Sequence, residues 1–114
     1  NVAYTLHFYA GYPAHYFEGD VGKNAQMAVA GGVPLFVTEW GTTDPITQTM
    51  FSADESQKWM AFLDQNFISS CNWSISGANE GSSALLQGAS TTGGWPDSAL
   101  SQSGLFVRTL IRGH

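Results

Sequence analysis

The run Leu35-Phe36-Val37-Thr38-Glu39-Trp40-Gly41 constrains the fold of this chain more than any other stretch. Its β-prone, largely apolar residues read as a strand buried on both faces, as in a parallel sheet. The expected strand covers residues 34–38, and Glu39 stands where it gives out into a loop. A carboxylate at the carboxyl end of a buried strand is costly to bury and well placed for chemistry. Two readings of Glu39 are open from the heptad alone: a catalytic carboxylate, or a salt-bridged or hydrogen-bonded strand end.

The flanking segments repeat the same order of elements. Residues 2–9 alternate loosely and end in Leu6-His7-Phe8-Tyr9. They are expected to form a strand with His7 and Tyr9 on one face and Phe8 on the other. A turn rich in aromatics follows at 11–16. Val21, Ala25, Ala28 and Val29 then form the stripe of a helix over 19–30, stopped by Gly31 and Gly32. After the heptad and a polar, Thr-rich loop at 42–51, Ser52-Ala53-Asp54-Glu55 has the form of a capping box. Trp59, Phe62, Leu63 and Phe67 are the expected buried face of the helix it opens. Residues 71–76 are expected to be a third strand carrying Trp73. A long irregular segment at 77–99 leads to a last helix at 101–112, with Leu100, Gly104, Val107 and Ile111 on one side. Loops that long tend to be functional. The order βα, βα, βα implies a parallel sheet with right-handed crossovers. The side chains of chemical interest are His7, Tyr9, Glu39, Trp40, Trp73 and Glu80. All lie at a strand's carboxyl end or just beyond it, the edge where α/β folds place their sites.

Composition narrows the classes of function. Four Lys or Arg stand against nine Asp or Glu. That balance argues against nucleic acid, which is bound largely through cations meeting phosphates. Only 11% of residues are charged while 13% are aromatic, including four Trp. This suits a buried sheet with a stacking surface better than a solvated bundle. The lone Cys71 lies in an apolar run and reads as a small core residue. No apolar run is long enough for a membrane span. No signal peptide is evident, and the first residue, which is not Met, is expected to be a processing or expression boundary.

Glu39 beside a Tyr and a His, with Trp nearby, suits sugar chemistry. A carboxylate can attack an anomeric carbon or stabilise an oxocarbenium-like transition state. A phenol donating to that carboxylate aims it. Trp73 is either a platform under a pyranose or a core aromatic, and His7 is either a ligand-facing donor or a satisfied buried histidine. His7, His15 and His114 lack the paired spacing of metal ligands. Neither a Gly-rich phosphate loop nor a G-x-S-x-G elbow is present, so no cofactor is expected.

Four motifs stand in order along the chain: residues 1–10 (NVAYTLHFYA), the heptad 35–41, Asn72-Trp73-Ser74-Ile75-Ser76, and residues 79–85 (NEGSSAL). Together they resemble the last part of a family 5 glycoside hydrolase of the bacterial endo-β-1,4-glucanase, or cellulase, type. The resemblance runs along the whole chain. It implies a (β/α)8 barrel, of which the three βα units here match the sixth to eighth, and a retaining double displacement. It implies Glu39 as nucleophile, with Tyr9 hydrogen-bonded to it and His7 lining the adjacent subsite. Trp73 is implied as the sugar platform, followed by a cis peptide bond to Ser74, and Trp40 and Glu80 as further substrate contacts. Many relatives carry a Lys two residues before that Glu, where this chain has Ala78.

The family's acid/base, a Glu in an Asn-Glu-Pro motif on the fourth strand, has no counterpart here. Asn79-Glu80 lacks the Pro and belongs to the last loop. A whole barrel needs about 250 residues, against 114 in this chain. The resemblance therefore implies the C-terminal portion of a catalytic barrel, residues 1–114 forming one incomplete domain. Its implied partners are a β-1,4-glucan and either a complementing N-terminal part or further copies of itself. The implied location is secreted. The alternative is a non-catalytic carbohydrate-binding or self-assembling half-barrel.

Overall fold

The computed structural model describes residues 2–113, so Asn1 of the first motif and His114 lie outside the described residues. Three parallel strands, β1 (Tyr4–Tyr9), β2 (Leu35–Gly41) and β3 (Ser70–Asn72), form a sheet in the order β1-β2-β3. Helices α1 (Asp20–Ala30), α2 (Ala53–Gln65) and α3 (Gln102–Arg112) follow the strands in turn. Two short 3-10 turns, Pro13–His15 and Asp97–Ala99, sit in the connections.

One face of the sheet is packed by the helices. Phe8, Ala25, Val37, Trp40, Trp59, Phe62, Leu63 and Val107 make the core there. Phe8 lies between two indoles, stacked at 4.1 Å on Trp59 and 5.8 Å on Trp40. Burying one Trp removes roughly 200 Å² from water, on the order of 5 kcal/mol of gross stabilisation. Trp59 is fully buried and thereby fixes α2 against the sheet. Its Nε1–H donates to the His15 carbonyl at 2.9 Å, so the buried indole leaves no donor unpaired. The other face of the sheet is open. Thr5, His7, Phe36 and Thr38 are all exposed on it, so the described residues bury the strands from one side.

β2 also runs further than expected, through Gly41, and it is not regular. Leu6 pairs with Val37, but His7 pairs with Glu39. On the other side Val37 pairs with Ser70 and Trp40 with Asn72. Both neighbours thus count one residue too many in β2, between Val37 and Trp40. A bulge of this kind re-aims the side chains after it. Strict alternation would put Val37 and Glu39 on one face and Thr38 and Trp40 on the other. Instead Val37 and Trp40 are both in the core, and Thr38 and Glu39 both make their hydrogen bonds on the open side.

The helix ends follow their sequence signals with two exceptions. Gly32 closes α1 at φ 77°, with the Val33 N–H bonded to the Ala28 carbonyl. Ser52 accepts from the Glu55 N–H as a capping box requires. Glu55 does not reciprocate, because the Ser52 N–H is taken by the Thr42 carbonyl. The Glu55 carboxylate instead accepts from the Phe17 N–H at 2.9 Å, tying α2 to the first loop. Phe67 is the second exception. It lies beyond α2 at φ 55° and is 96% exposed, not part of the buried face.

β3 is shorter than expected, and Cys71 is exposed rather than a core residue. In the last unit Leu100 is buried and bridges to Leu85 before α3 begins, while Ile111 is exposed. Phe67 holds the left-handed position that glycine usually fills at a helix C-terminus. Phe67→Gly is expected to stabilise the fold by about 1 kcal/mol, read as a higher denaturant midpoint. A lower midpoint would mean that the phenyl ring contributes packing.

Candidate active site

The bulge and the alternation of β1 bring three groups together on the open face. On β1, Thr5, His7 and Tyr9 point the same way, two residues apart. On β2, Thr38 and Glu39 meet them. The Tyr9 hydroxyl donates to Glu39 Oε1 at 2.6 Å. His7 Nε2 is 2.7 Å from the Thr38 hydroxyl, which also bonds the Thr5 hydroxyl. Gly41 makes room for the phenol, since a Cβ there would lie 2.5 Å from the Tyr9 ring. Burial pushes the Tyr9 phenol well above its usual range, reinforced by the hydrogen bond to Glu39 and by the charges of Glu39 and Glu80. Tyr9 therefore remains a donor across the ordinary pH range.

The backbone of Tyr9 is held as well. Its N–H donates to His15 Nδ1 at 3.1 Å. Burial lowers the His15 pKa, in keeping with a neutral ring that accepts at Nδ1. Sequence reasoning weighed His15 only as a metal ligand. Among the described residues no three His, Cys, Asp or Glu side chains are grouped to hold a metal ion.

Trp73 leaves the sheet just after β3, through a cis peptide bond to Ser74. Its ring is 44% exposed, and its Nε1–H donates to Glu80 Oε2 at 3.2 Å. The structure thus joins Trp73 and Glu80, which are seven residues apart. Trp40 lies apart from this group. It is 3% exposed and stacked on Phe8 in the core. The bulge that brings Glu39 to the open face turns Trp40 away from it.

Small hydroxyl and amide groups fasten the loops around this cluster. Thr43 bonds Ser82 through both its N–H and its hydroxyl. Ser103, in the first turn of α3, bonds Thr42 and donates to the Gly81 carbonyl. The Gly81 N–H donates to Gln48 Oε1 at 3.0 Å. Gly81 and Ser82 belong to the motif at 79–85, whereas Thr42, Thr43, Gln48 and Ser103 carried none, and the Thr-rich segment at 42–51 was the signal available for the first three.

Asp44 organises the first of these loops. Its carboxylate accepts from the Ile46, Thr47, Thr49 and Met50 N–H groups and from the Thr47 hydroxyl. Burial alone would raise its pKa. The Thr47, Met50 and Thr49 donors outweigh that and hold it well below the usual carboxylate range. A depressed carboxyl contributes stability that is present above the ordinary Asp pKa of about 3.9 and is lost as pH falls below it. Asp44→Asn is therefore expected to be less stable than the parent at neutral pH. The difference should shrink as pH is lowered through about 4 towards 2. Urea titrations of both chains across that range check it, and a constant difference would refute it.

Comparison with known proteins places this arrangement. The family model described as Cellulase (glycosyl hydrolase family 5) matches residues 1–79. An endoglucanase of Clostridium saccharobutylicum is 44% identical over 113 residues, covering 99% of this chain and 24% of its own length. A solved structure from Cytophaga hutchinsonii superposes with a TM-score of 0.90 at 46% identity, covering 98% of this chain and 35% of that one. A thermostable, halotolerant GH5 cellulase from an Icelandic hot spring isolate gives 0.87 at 36% identity, covering 99% and 37%. The chain thus spans about a quarter of the curated relative and about a third of the solved chains. Its three parallel βα units are part of a (β/α)8 barrel. With its open-face carboxylate, phenol and imidazole carried on such units, the chain belongs to the cellulase family, glycosyl hydrolase family 5.

Proposed function

We propose that residues 1–114 are the C-terminal portion of an endo-β-1,4-glucanase barrel, its sixth to eighth βα units. In this reading Glu39 is the nucleophile of a retaining mechanism. The observation that carries the reading is the 2.6 Å hydrogen bond from Tyr9 to Glu39 on the face turned away from the helices. A donor on one carboxylate oxygen fixes the rotation of the group and leaves the other oxygen to attack. His7 and the exposed indole of Trp73 flank it as the polar and stacking walls of a sugar site, and Glu80 holds the indole edge.

The chemistry follows from that placement. Glu39 attacks the anomeric carbon as the glycosidic bond breaks, and the departing oxygen takes a proton from a general acid. Water then cleaves the glycosyl–Glu39 ester, with the same acid now acting as base. The two carboxyl groups of such a pair stand about 5 to 5.5 Å apart. Two carboxylates other than Glu39 are candidates for the acid in this chain, and both have other partners. Asp44 is saturated by donors in its loop, and Glu80 accepts from Trp73. The acid/base is therefore assigned to the rest of the barrel. That part would also cover the open face and pair with the outer edges of β1 and β3. The substrate is a β-1,4-glucan, and the protein is a secreted enzyme. Among the described residues no helix is long and apolar enough to cross a membrane.

The isolated chain is expected to leave carboxymethylcellulose uncleaved, and supplying the remaining part of the barrel should restore turnover. In that complete enzyme Glu39→Gln should remove hydrolysis. Tyr9→Phe, which deletes one hydrogen bond to a charged group, should lower kcat/KM by roughly 10- to 100-fold. With the isolated chain, a dinitrophenyl cellobioside, which needs little acid assistance, should slowly leave a glycosyl adduct on Glu39, read by intact-protein mass. Robust turnover by the 114-residue chain alone, or an active Glu39→Gln enzyme, would overturn the proposal.

A further inference from the structure

We infer that Gln48 is a positioning residue for Glu80: its side-chain carbonyl holds the Glu80–Gly81 peptide, and through it the carboxylate that steadies the indole of Trp73. The inference rests on the glucanase reading, in which that indole is the stacking wall of the sugar site. Gln48 has φ 57°, in the left-handed region. Gly is the usual residue there, and Asn the usual exception. A glutamine adds backbone strain that either would lessen, so its long amide calls for a role of the side chain. That role lies across the gap between two loops, where Gln48 Oε1 accepts the Gly81 N–H at 3.0 Å. The donor is a backbone N–H, so the carbonyl side of the amide is the side that meets it.

The Asp44 carboxylate fixes the origin of this reach. It accepts from the Thr47 N–H before Gln48 and from the Thr49 and Met50 N–H groups after it. The far end is equally confined, since a Cβ on Gly81 would lie 1.6 Å from the Gln48 main-chain oxygen. The Gly81 N–H and the Glu80 carbonyl are the two polar ends of one peptide group. Gln48 takes the first, and the Ser83 N–H donates to the second at 3.0 Å. A peptide plane held at both ends sets the direction in which the Glu80 side chain leaves the backbone. From there the carboxylate accepts the Trp73 Nε1–H at 3.2 Å, while the ring stays 44% exposed. Ser83 belongs to the same loop as Glu80, whereas Gln48 belongs to the loop after β2. The path Asp44–Gln48–Gly81–Glu80–Trp73 therefore ties the stacking wall to the strand that carries Glu39.

The test uses the complete barrel that carries this chain. Gln48→Met removes the acceptor, nearly keeps the side-chain length and leaves the left-handed backbone as costly as before. Nitrogen-15 spectra of the indole groups, recorded without sugar, identify the Trp73 signal by its loss in Trp73→Phe. In Gln48→Met that signal should move in the direction it takes in Glu80→Ala, with hydrogen exchange several-fold faster, while the signals of the buried Trp40 and Trp59 stay in place. A contact made equally to bound substrate and transition state acts on KM and leaves kcat in place. KM for cello-oligosaccharides should accordingly rise about two- to fivefold, within the scale of one neutral hydrogen bond. In a Glu80→Ala background Gln48→Met should have no further effect on KM. An unmoved Trp73 signal would overturn the inference, as would a KM effect that persists undiminished without Glu80. So would movement of every indole signal together with a fall in kcat, which would mark Gln48 as a general brace between loops. If Glu39→Gln retained activity, the glucanase reading would fail while the indole spectra still decided the role of Gln48.

Discussion

One extra residue in β2 governs the site and the core together. Side chains of a strand alternate with a strict period of two, so an insertion exchanges the faces of everything beyond it. Here the exchange sends an indole inward and a carboxylate outward. Trp40 gains Phe8 as a stacking partner and joins the apolar side of the sheet. Glu39 reaches the phenol of Tyr9 instead of being buried against the helices, where an ionised group would cost several kcal/mol unless paired. A regular β2 would present the reverse, a tryptophan on the open face and a carboxylate in the core.

The frame that holds this arrangement is aromatic on one side and made of small polar groups on the other. Beneath the sheet, Trp59, Phe8 and Trp40 form a continuous stack, and the carbonyl of His15 receives the Trp59 indole. The same His15 takes the Tyr9 N–H on its ring, so the core and the phenol that aims Glu39 share one residue. Above the sheet, order in the loops comes from Ser, Thr, Gln and Asp side chains bonding backbone. Asp44 gathers one loop, Thr43–Ser82 and Gln48–Gly81 fasten it to the segment that carries Glu80, and Ser103–Gly81 ties that segment to α3. Such networks need few charges, which accounts for a loop-rich chain with only 11% charged residues.

The open face and the cluster on it are two aspects of one architecture. In a closed barrel the inner side of the sheet is filled by layers of side chains and the carboxyl ends of the strands carry the site. Thr5, Phe36 and Thr38 are exposed here because the sheet has three strands and not a closed ring. Their exposure accompanies the Tyr9–Glu39 and His7–Thr38 hydrogen bonds on the same face and the Trp73–Glu80 hydrogen bond beyond β3. The geometry within the cluster is therefore set by neighbouring strands and loops of this chain.

The sequence by itself determined the order of strands and helices, the parallel sheet, the placement of His7 and Tyr9 on one face, and the family. Those properties rest on local periodicity, on caps such as Ser52 and Gly32, and on motifs read in one dimension. Helix ends were legible wherever the signal was local. Phe67 was misread because an apolar residue at helical spacing carries no mark of a left-handed backbone. Tertiary structure alone decided that Glu39 turns to the open face and Trp40 to the core. It also decided that Cys71 is exposed, that Glu55 bonds the Phe17 backbone, and that Asp44 and His15 are structural. The physical reason is common to all of these. A bulge is a mismatch between two strands, and a hydrogen-bond acceptor is chosen by what lies across a loop. Both are relations between segments distant in sequence, which no single stretch of it can express.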